Sequence, residues 1–91
     1  MPPPREPPPG PPPLGAFKAR PEVGPDEELV CWDGTDQSWL RVVDLHYNLT
    51  TNAVRRLDAT LDVQTRDGWT IVRARGWLVR RDDGTIEVYP P

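Results

Sequence analysis

Cysteine and histidine are almost missing from this chain of 91 residues, since each occurs once. Cys31 has no second cysteine to pair with, so a disulfide within the chain is excluded. A metal site made of protein side chains is not expected either, and no glycine-rich loop that could cradle a cofactor phosphate is present. Small domains that lack disulfides and metals depend on close packing or on oligomerisation.

Long apolar runs are also missing. No segment approaches the roughly 18 consecutive apolar residues that a membrane helix needs. The N-terminus has no apolar stretch of the kind found in signal peptides. We therefore expect no membrane partner, and a location in the cytoplasm or in a virion assembled there.

Proline divides the chain into two parts. Residues 1–25 contain 11 of the 13 prolines, and residues 26–89 contain none. Because proline fixes φ and has no N–H to donate, residues 1–25 are expected to form a disordered or extended Pro-rich arm of polyproline II type. Residues 26–91 are then expected to be one small domain.

The net charge of −3 is divided unevenly between these parts. Residues 1–25 carry three basic and two acidic side chains, a charge of +1. Residues 26–91 carry eight basic and twelve acidic side chains, a charge of −4. An acidic domain disfavours nucleic acid as a partner, because binding to the phosphate backbone needs a basic surface.

The arm carries candidate contacts for a protein partner. Arg5, Pro8 and Pro11 match the R-x-x-P-x-x-P pattern that aromatic grooves of SH3 type bind. Leu14 and Phe17 add apolar anchors. Any long proline run contains such a pattern by chance, so a solvated spacer or an arm lying along a partner is the favoured interpretation.

Three Asp-Gly pairs predict β-hairpins in the rest of the chain, because both residues tolerate the positive φ of tight turns. A turn at 67–68 places Val63 opposite Val72. The same register places Asp62 opposite Arg73, which adds an ion pair. The three pairs lie at 33–34, 67–68 and 83–84.

Alternating apolar residues predict further strands around this hairpin. The last Asp-Gly turn places Arg80 opposite Glu87, and residues 28–32 and 38–49 are expected to be strands. Residues 51–63 favour a strand, with a helix as the alternative. The prediction is an all-β fold, a small five-stranded antiparallel meander or barrel.

One face of this predicted sheet is apolar and needs a cover. No amphipathic helix is expected to supply it, so either the sheet closes at a bend near Gly76 or another chain covers the face. The apolar face comprises Val43, Leu45, Tyr47, Leu57, Leu61, Val63, Val72 and Leu78.

The segment WTIVRARGW holds the candidate binding residues. Trp69, Arg73, Arg75 and Trp77 alternate along it and would share one face of a strand. Tryptophan and arginine side chains stack on nucleic-acid bases and on peptides. The competing and favoured interpretation is structural, with Arg73 paired to Asp62 and Trp77 turned inward.

No catalytic constellation is predicted. His46 would face Asp58 in the expected register, but no serine or cysteine nucleophile is placed beside it. Cys31 is interpreted as a small buried residue of a strand.

The sequence therefore predicts a non-enzymatic structural or assembly protein that packs on copies of itself or on a larger protein. Its plan, a compact β module with an extended arm, is that of small capsid-decorating or tail proteins of bacteriophages. Covering about 400 Å² of apolar surface would contribute on the order of 10 kcal/mol before ordering costs. The alternative is a monomeric β-barrel module that binds single-stranded nucleic acid or a peptide.

Overall fold

The structure, a computed structural model, describes residues 20–91. The candidate arm contacts Arg5, Pro8, Pro11, Leu14 and Phe17 lie outside the described residues. The described part of the chain folds into strands and a helix in this order: β1 Glu28–Cys31, α1 Asp36–Leu45, β2 Ala53–Arg55, β3 Leu61–Thr65, β4 Gly68–Val72, β5 Trp77–Arg80 and β6 Ile86–Tyr89.

The strands form two antiparallel sheets of three strands each, not one meander or closed barrel. One sheet has the order β1-β5-β6 and the other β2-β3-β4. The first strand thus pairs with the last hairpin, from Glu28 opposite Arg80 to Cys31 opposite Trp77. The predicted β character is confirmed, whereas the five-stranded arrangement is wrong. No helix within residues 20–91 is long and apolar enough to cross a membrane.

Helix α1 occupies the region where the sequence predicted a strand at 38–49. Thr35 caps its N-terminus, since the Thr35 hydroxyl accepts a hydrogen bond from the Ser38 N–H at 3.1 Å. Ser38, Val42 and Leu45 are buried, which is the spacing of one helical face. The first Asp-Gly pair therefore leads into a helix cap and not into a hairpin.

The β3–β4 hairpin was predicted in the right place, but its loop lies one residue earlier. Thr65 pairs with Gly68, and Asp62 lies opposite Ile71 and not opposite Arg73. Each predicted cross-strand partner is thus displaced by two residues. Because side chains alternate along a strand with a period of two, this displacement leaves every side chain on its predicted face.

The β5–β6 hairpin differs from its prediction by one residue. Arg80 lies opposite Ile86 and not opposite Glu87. The Arg81 N–H donates to the Thr85 carbonyl at 2.9 Å, so the loop contains three residues and not two. The third of them, Gly84, has a φ of 85°, as in a hairpin with a left-handed glycine at its last loop position.

Two hairpins repeat one another in sequence and in structure. Residues 54–63 read VRRLDATLDV and residues 79–88 read VRRDDGTIEV, an offset of 25 residues (79 minus 54). The Arg56 N–H donates to the Thr60 carbonyl at 2.9 Å, as Arg81 does to Thr85 in the later hairpin. Residues 51–63 therefore contain two strands and a turn, and the helix alternative for them is wrong.

The two repeated turns share their backbone conformation as well. Their third loop residue is left-handed in both cases, with a φ of 69° at Ala59 and 85° at Gly84. The carboxylates of Asp58 and Asp83 accept hydrogen bonds from the N–H of the threonine two residues ahead, at 3.1 and 3.0 Å. Asp-Ala-Thr thus builds the same turn as Asp-Gly-Thr, although alanine is the less favourable residue at positive φ.

The core lies between α1 and the two sheets. Trp32 is fully buried at its centre, and its indole N–H donates to the Ala59 carbonyl at 2.8 Å. Of the predicted apolar face, Val43, Tyr47 and Leu57 are exposed. Helix α1 turns Val43 outward, Tyr47 lies in the turn that follows α1, and Leu57 lies in a loop. The buried cluster comprises Val30, Trp32, Val42, Leu45, Leu61, Val63, Val72, Leu78 and Ile86.

Gly76 lies in the loop between β4 and β5 and not in the middle of a strand. Its N–H donates to the Arg73 carbonyl at 2.9 Å, which closes a tight turn. A Cβ atom added at Gly76 would lie 2.8 Å from Val72 Cγ1. The glycine is therefore needed for close packing of the chain where it passes from one sheet to the other.

Candidate functional site

The four candidate binding residues do not share one strand. Trp69 lies on β4, Arg73 and Arg75 lie in the loop that follows, and Trp77 lies on β5 opposite Cys31. Trp69 and the two arginines are exposed, whereas Trp77 is half-buried. The break of the strand at residues 73–76 separates the residues that the alternation had placed together.

Trp69 belongs to an exposed apolar surface on the β2-β3-β4 sheet. Val54 and Ile71 flank Asp62 in one cross-strand row, and Trp69 is two residues from Ile71 on the same face. The side chains of Val54, Trp69 and Ile71 are between 50% and 56% exposed. We call these three residues the outer sheet face, because the other side of the sheet packs into the core.

The charges on the outer sheet face are partly compensated. Arg56 Nε and Nη2 donate to Asp62 Oδ2 at 2.8 and 2.5 Å, so the predicted Asp62–Arg73 pair is wrong. Arg73 and Arg75 form no salt bridge with any residue between 20 and 91. The face therefore combines apolar side chains, one satisfied ion pair and two exposed arginines at its end.

A second exposed apolar surface lies on α1. Leu40, Val43 and Tyr47 are between 48% and 71% exposed and follow the three-and-four spacing of one helical face. The Tyr47 N–H donates to the Asp44 carbonyl at 3.0 Å, which extends the helical turn to Tyr47. We call Leu40, Val43 and Tyr47 the α1 stripe. Nothing in the described part of the chain covers it.

A pocket of about 250 Å³ adjoins this stripe, between α1 and β2. Its walls are mainly apolar, and Val43 belongs both to the pocket and to the α1 stripe. We call it the α1–β2 pocket. It is lined by Trp39, Val42, Val43, His46, Leu49, Thr51, Asn52 and Ala53.

His46 lies in the wall of the α1–β2 pocket, but its free ring nitrogen is buried and is not exposed to the pocket. His46 Nδ1 lies 2.8 Å from the Val42 carbonyl oxygen, which only accepts, so this geometry assigns the ring hydrogen to Nδ1. In the neutral ring with this tautomer, His46 Nε2 is an acceptor, and it is buried without a partner among the described residues. Thr51 Oγ1, also in the pocket wall, is buried and unpartnered in the same way.

No strand pairs residues 46 and 58, so the predicted contact of His46 with Asp58 is wrong.

A groove of about 410 Å³ lies between the β3–β4 loop and β6, but its charged side chains have partners. Arg66 Nη2 pairs with Asp83 Oδ2 at 3.1 Å. Glu87 Oε1 pairs with Arg81 Nε at 2.6 Å. These charges of the groove are thus already compensated within the domain.

Arg81 ties the segment before β1 to the last hairpin. Besides Glu87, it contacts Glu27 Oε1 at 3.1 Å, the Glu22 carbonyl at 3.0 Å and the Tyr89 hydroxyl at 2.8 Å. A hydrogen bond from the Gly24 N–H and then the one from Arg81 lower the pKa of Glu27. The hydrogen bond from Arg81 is the largest cause of the lowered pKa of Glu87. We call this set of contacts the Arg81 clamp, and its role is structural.

Cys31 and the acidic residues do not form a chemical site within the described residues. Cys31 is half-buried on β1, and burial together with the nearby Asp33 raises the pKa of its thiol. Residues 20–91 contain no group of three or more histidine, cysteine, aspartate or glutamate side chains placed to hold a metal ion. Cys31 is thus a neutral thiol at the edge of the core.

The chain matches no protein-family model, no curated protein and no solved structure. The geometry of the molecule therefore has to carry the functional interpretation. The sequence pattern singled out Trp69, which is exposed, but it missed the α1 stripe and its pocket, because residues 38–49 were interpreted with a period of two. The signal that would have found them is Thr35, a helix cap placed just before apolar residues at helical spacing.

Proposed function

We propose that this chain is a non-enzymatic structural protein whose domain assembles with copies of itself through exposed apolar surfaces. One observation carries the proposal. The domain has two separate apolar surfaces, the outer sheet face and the α1 stripe, and the described residues cover neither. Groups of exposed apolar side chains can mark protein interaction sites.

A second copy of the chain is the proposed partner of these surfaces, because assembly would stabilise so small a domain. It has no disulfide, and a domain of this size buries little core relative to its surface. An aromatic side chain buries about 200 Å² when it is fully covered, so covering the exposed half of Trp69 contributes about 2.5 kcal/mol at 25 cal/mol per Å² before ordering costs. The Arg56–Asp62 pair lets the same face meet a copy of itself without an unpaired charge at its centre.

The proposal of a non-enzymatic role rests on the surroundings of His46 and Cys31. The His46 ring bonds a backbone carbonyl of its own helix, and Cys31 lies on a different element with a raised thiol pKa. Neither arrangement activates a nucleophile. Residues 1–25 are proposed to extend along a neighbouring copy or a larger protein, in the cytoplasm or in a virion, as in small phage capsid or tail proteins.

The mass of the full chain in solution tests this proposal. Light scattering after gel filtration, over a wide range of protein concentrations, should give a mass well above the 10.3 kDa of one chain. The double substitution Trp69→Ser and Ile71→Ser should lower the mass or shift assembly to higher concentration. Leu57→Ser is the matched control, because Leu57 is fully exposed but lies outside both surfaces. A monomer at every concentration would contradict the proposal.

Single-stranded nucleic acid or a peptide is the second candidate ligand, favoured by the exposed Arg73 and Arg75 near Trp69. A titration with a dodecamer of deoxythymidine, followed by tryptophan fluorescence, tests it. Two phosphate contacts predict a slope of log affinity against log salt of about −1.4, and Arg73→Ala with Arg75→Ala should flatten it. Arg41→Ala on α1 is the control and should leave the slope unchanged. The absence of any salt-dependent quenching would remove nucleic acid as the ligand.

A further inference from the structure

We infer that residues 14–19 bind the domain of their own chain as an added strand, antiparallel to β6 and along the edge that no described strand occupies. The inference goes beyond the proposed function, because it concerns a strand edge and not the two exposed apolar surfaces. It leaves the proline-rich residues 1–13 to extend along a neighbouring copy. Three features support it: the grooves beside β6, the place where the described residues begin, and the sequence of the segment.

Strand β6 has one edge with which no other strand of residues 20–91 pairs. It is joined only to β5, just as β4 is joined only to β3. The Arg81 N–H donates to the Thr85 carbonyl, and in an antiparallel ladder every second pair is bonded in this way. The backbone N–H and C=O groups of Ile86 and Val88 therefore point away from β5. Such a row of backbone groups is a template for one more strand.

Two grooves follow this edge of β6. The first, of about 410 Å³, is lined by every residue from 85 to 89, and the second, of about 290 Å³, by residues 88–91 and 70–73. Because side chains alternate between the two faces of a strand, a groove lined by consecutive residues lies beside the strand and not over one face. The two grooves share Thr70, Val88 and Tyr89, so they continue one another. We call them together the edge groove.

The first described residues lie at one end of the edge groove. The Glu22 carbonyl accepts a hydrogen bond from Arg81 at 3.0 Å. Arg81 also binds the side chains of Glu87 and Tyr89, which line the groove. Arg81 directly follows β5, so residues that precede Glu22 approach β6 near its first residue, Ile86. A segment that continues from there along the groove runs antiparallel to β6.

Residues 14–19 have the composition of a short strand. They read LGAFKA, and together with Arg20 they form the longest stretch without proline in residues 1–25. Each of them can therefore donate a backbone N–H, which proline cannot do. A length of about six residues is also the usual length of a strand. The proline-rich residues before them lack these donors and cannot form such a ladder.

One register gives favourable pairs along this segment. With Phe17 opposite Val88, the ring lies on the face on which Val88 packs against the core. Lys18 then lies opposite Glu87, whose Oε1 binds Arg81 and whose Oε2 has no partner within residues 20–91. A shift by one residue would turn Lys18 towards the core face, so the alternation specifies the pairing.

Amide hydrogen exchange of the full chain, followed by NMR, tests the inference. The amides of Phe17 and Val88 should exchange at least about 10-fold more slowly than in an unstructured chain, because both lie in the new ladder. Phe17→Pro removes a donor and should abolish the protection at Val88, while Val63 in the other sheet stays protected. Gly10→Pro adds a proline in the proline-rich segment instead, and this matched control should change neither. Exchange of residues 14–19 at the rate of an unstructured chain would overturn the inference.

A designed disulfide tests the register and the source of the strand. In a Cys31→Ser background, Ala16→Cys and Tyr89→Cys would face one another in a pair without backbone hydrogen bonds, with Cα atoms about 4.5 Å apart. They should form a disulfide within one chain, since bridged Cα atoms lie about 4.4–6.8 Å apart. Ala16→Cys with Val54→Cys is the control and should stay reduced, because Val54 is exposed on β2, in the other sheet.

The outcomes distinguish this inference from the proposed function. A disulfide within one chain supports the inference whether the protein assembles or stays monomeric, because an added strand does not require assembly. Disulfides between chains only would overturn binding to the same domain and assign the segment to a neighbouring copy. Protection without a disulfide, or an equally ready disulfide with Val54→Cys, would overturn the register. None of these results changes the test of self-assembly by mass.

Discussion

Exchanging the third loop residue between the two repeated hairpins should change stability in opposite directions. Ala59 and Gly84 hold equivalent positions, with φ values of 69° and 85°. Ala59→Gly should stabilise the domain, because it removes a left-handed alanine. Gly84→Ala should destabilise the domain, because it creates a left-handed alanine. The added methyl group meets only Leu49 Cδ2, at an ordinary contact distance of 3.6 Å, so the change measures the backbone effect and not a clash.

The magnitude follows from two opposing backbone effects. A left-handed conformation costs a non-glycine residue roughly 1–2 kcal/mol. Glycine has more freedom in the unfolded chain, which offsets about 0.4–1 kcal/mol of that difference. The net change in the free energy of unfolding should therefore be about 0.5–1 kcal/mol in each direction, a gain for Ala59→Gly and a loss for Gly84→Ala.

Urea unfolding followed by tryptophan fluorescence measures this change, since Trp32 is fully buried in the folded domain. For a small protein, the expected free-energy change corresponds to a midpoint shift of about 0.5 M. The double exchange should lie near the wild-type value, because the two turns belong to different sheets and their effects should add. If both single changes shift the midpoint in the same direction, the two turns are not equivalent and the reasoning is refuted.

Three further changes probe other local structures. Thr35→Ala should lower the free energy of unfolding by about 1 kcal/mol through loss of the α1 cap, and Thr35→Ser should restore most of it in the same urea assay. Hydrogen bonds from the hydroxyls of Ser38 and Thr35 lower the pKa of Asp33 from 3.8 to about 2, so its stabilising effect is complete above pH 4 and is lost as the pH falls through 2. Acid titration of stability should therefore be less steep in Asp33→Asn, and an unchanged slope would argue against the Asp33 contacts. Gly76→Ala should destabilise the domain by about 1–3 kcal/mol, and Val72→Ala should relieve part of that loss in a double-mutant cycle.

Local turn chemistry was the part of the fold that could be read from the sequence. The β3–β4 and β5–β6 hairpins form where Asp-Gly pairs separate apolar runs. The exact loop residues of both hairpins were missed. In the β5–β6 hairpin, a three-residue loop that ends at Gly84 contains the same Asp-Gly pair as a two-residue loop would. The repeat that relates residues 54–63 to 79–88 was visible in the sequence, and it would have identified the β2–β3 hairpin.

The long-range arrangement could not be read in the same way. The apolar residues at 39, 43, 45 and 47 fit the alternation of a strand only partly. A helix forms there because Thr35 caps it and because Val42 and Leu45 are buried in the core. The pairing of β1 with β5 joins residues about 50 positions apart, and no local pattern encodes it. The α1–β2 pocket lies between the helix, the loop that follows it and β2, so it too is apparent only in three dimensions.

The Arg81 clamp has a mechanical consequence for a chain that begins with a long proline-rich segment. A force applied to residues before Glu22 reaches the domain first through the contacts of Arg81 with the Glu22 carbonyl and with Glu27. Only when these contacts break does the load pass to the antiparallel β1–β5 ladder, which begins at Glu28. Because β1 is an edge strand joined to one neighbour, it would peel away before the β2-β3-β4 sheet is loaded. Tension on the arm would thus unfold the molecule from its N-terminal strand and leave the outer sheet face to the last.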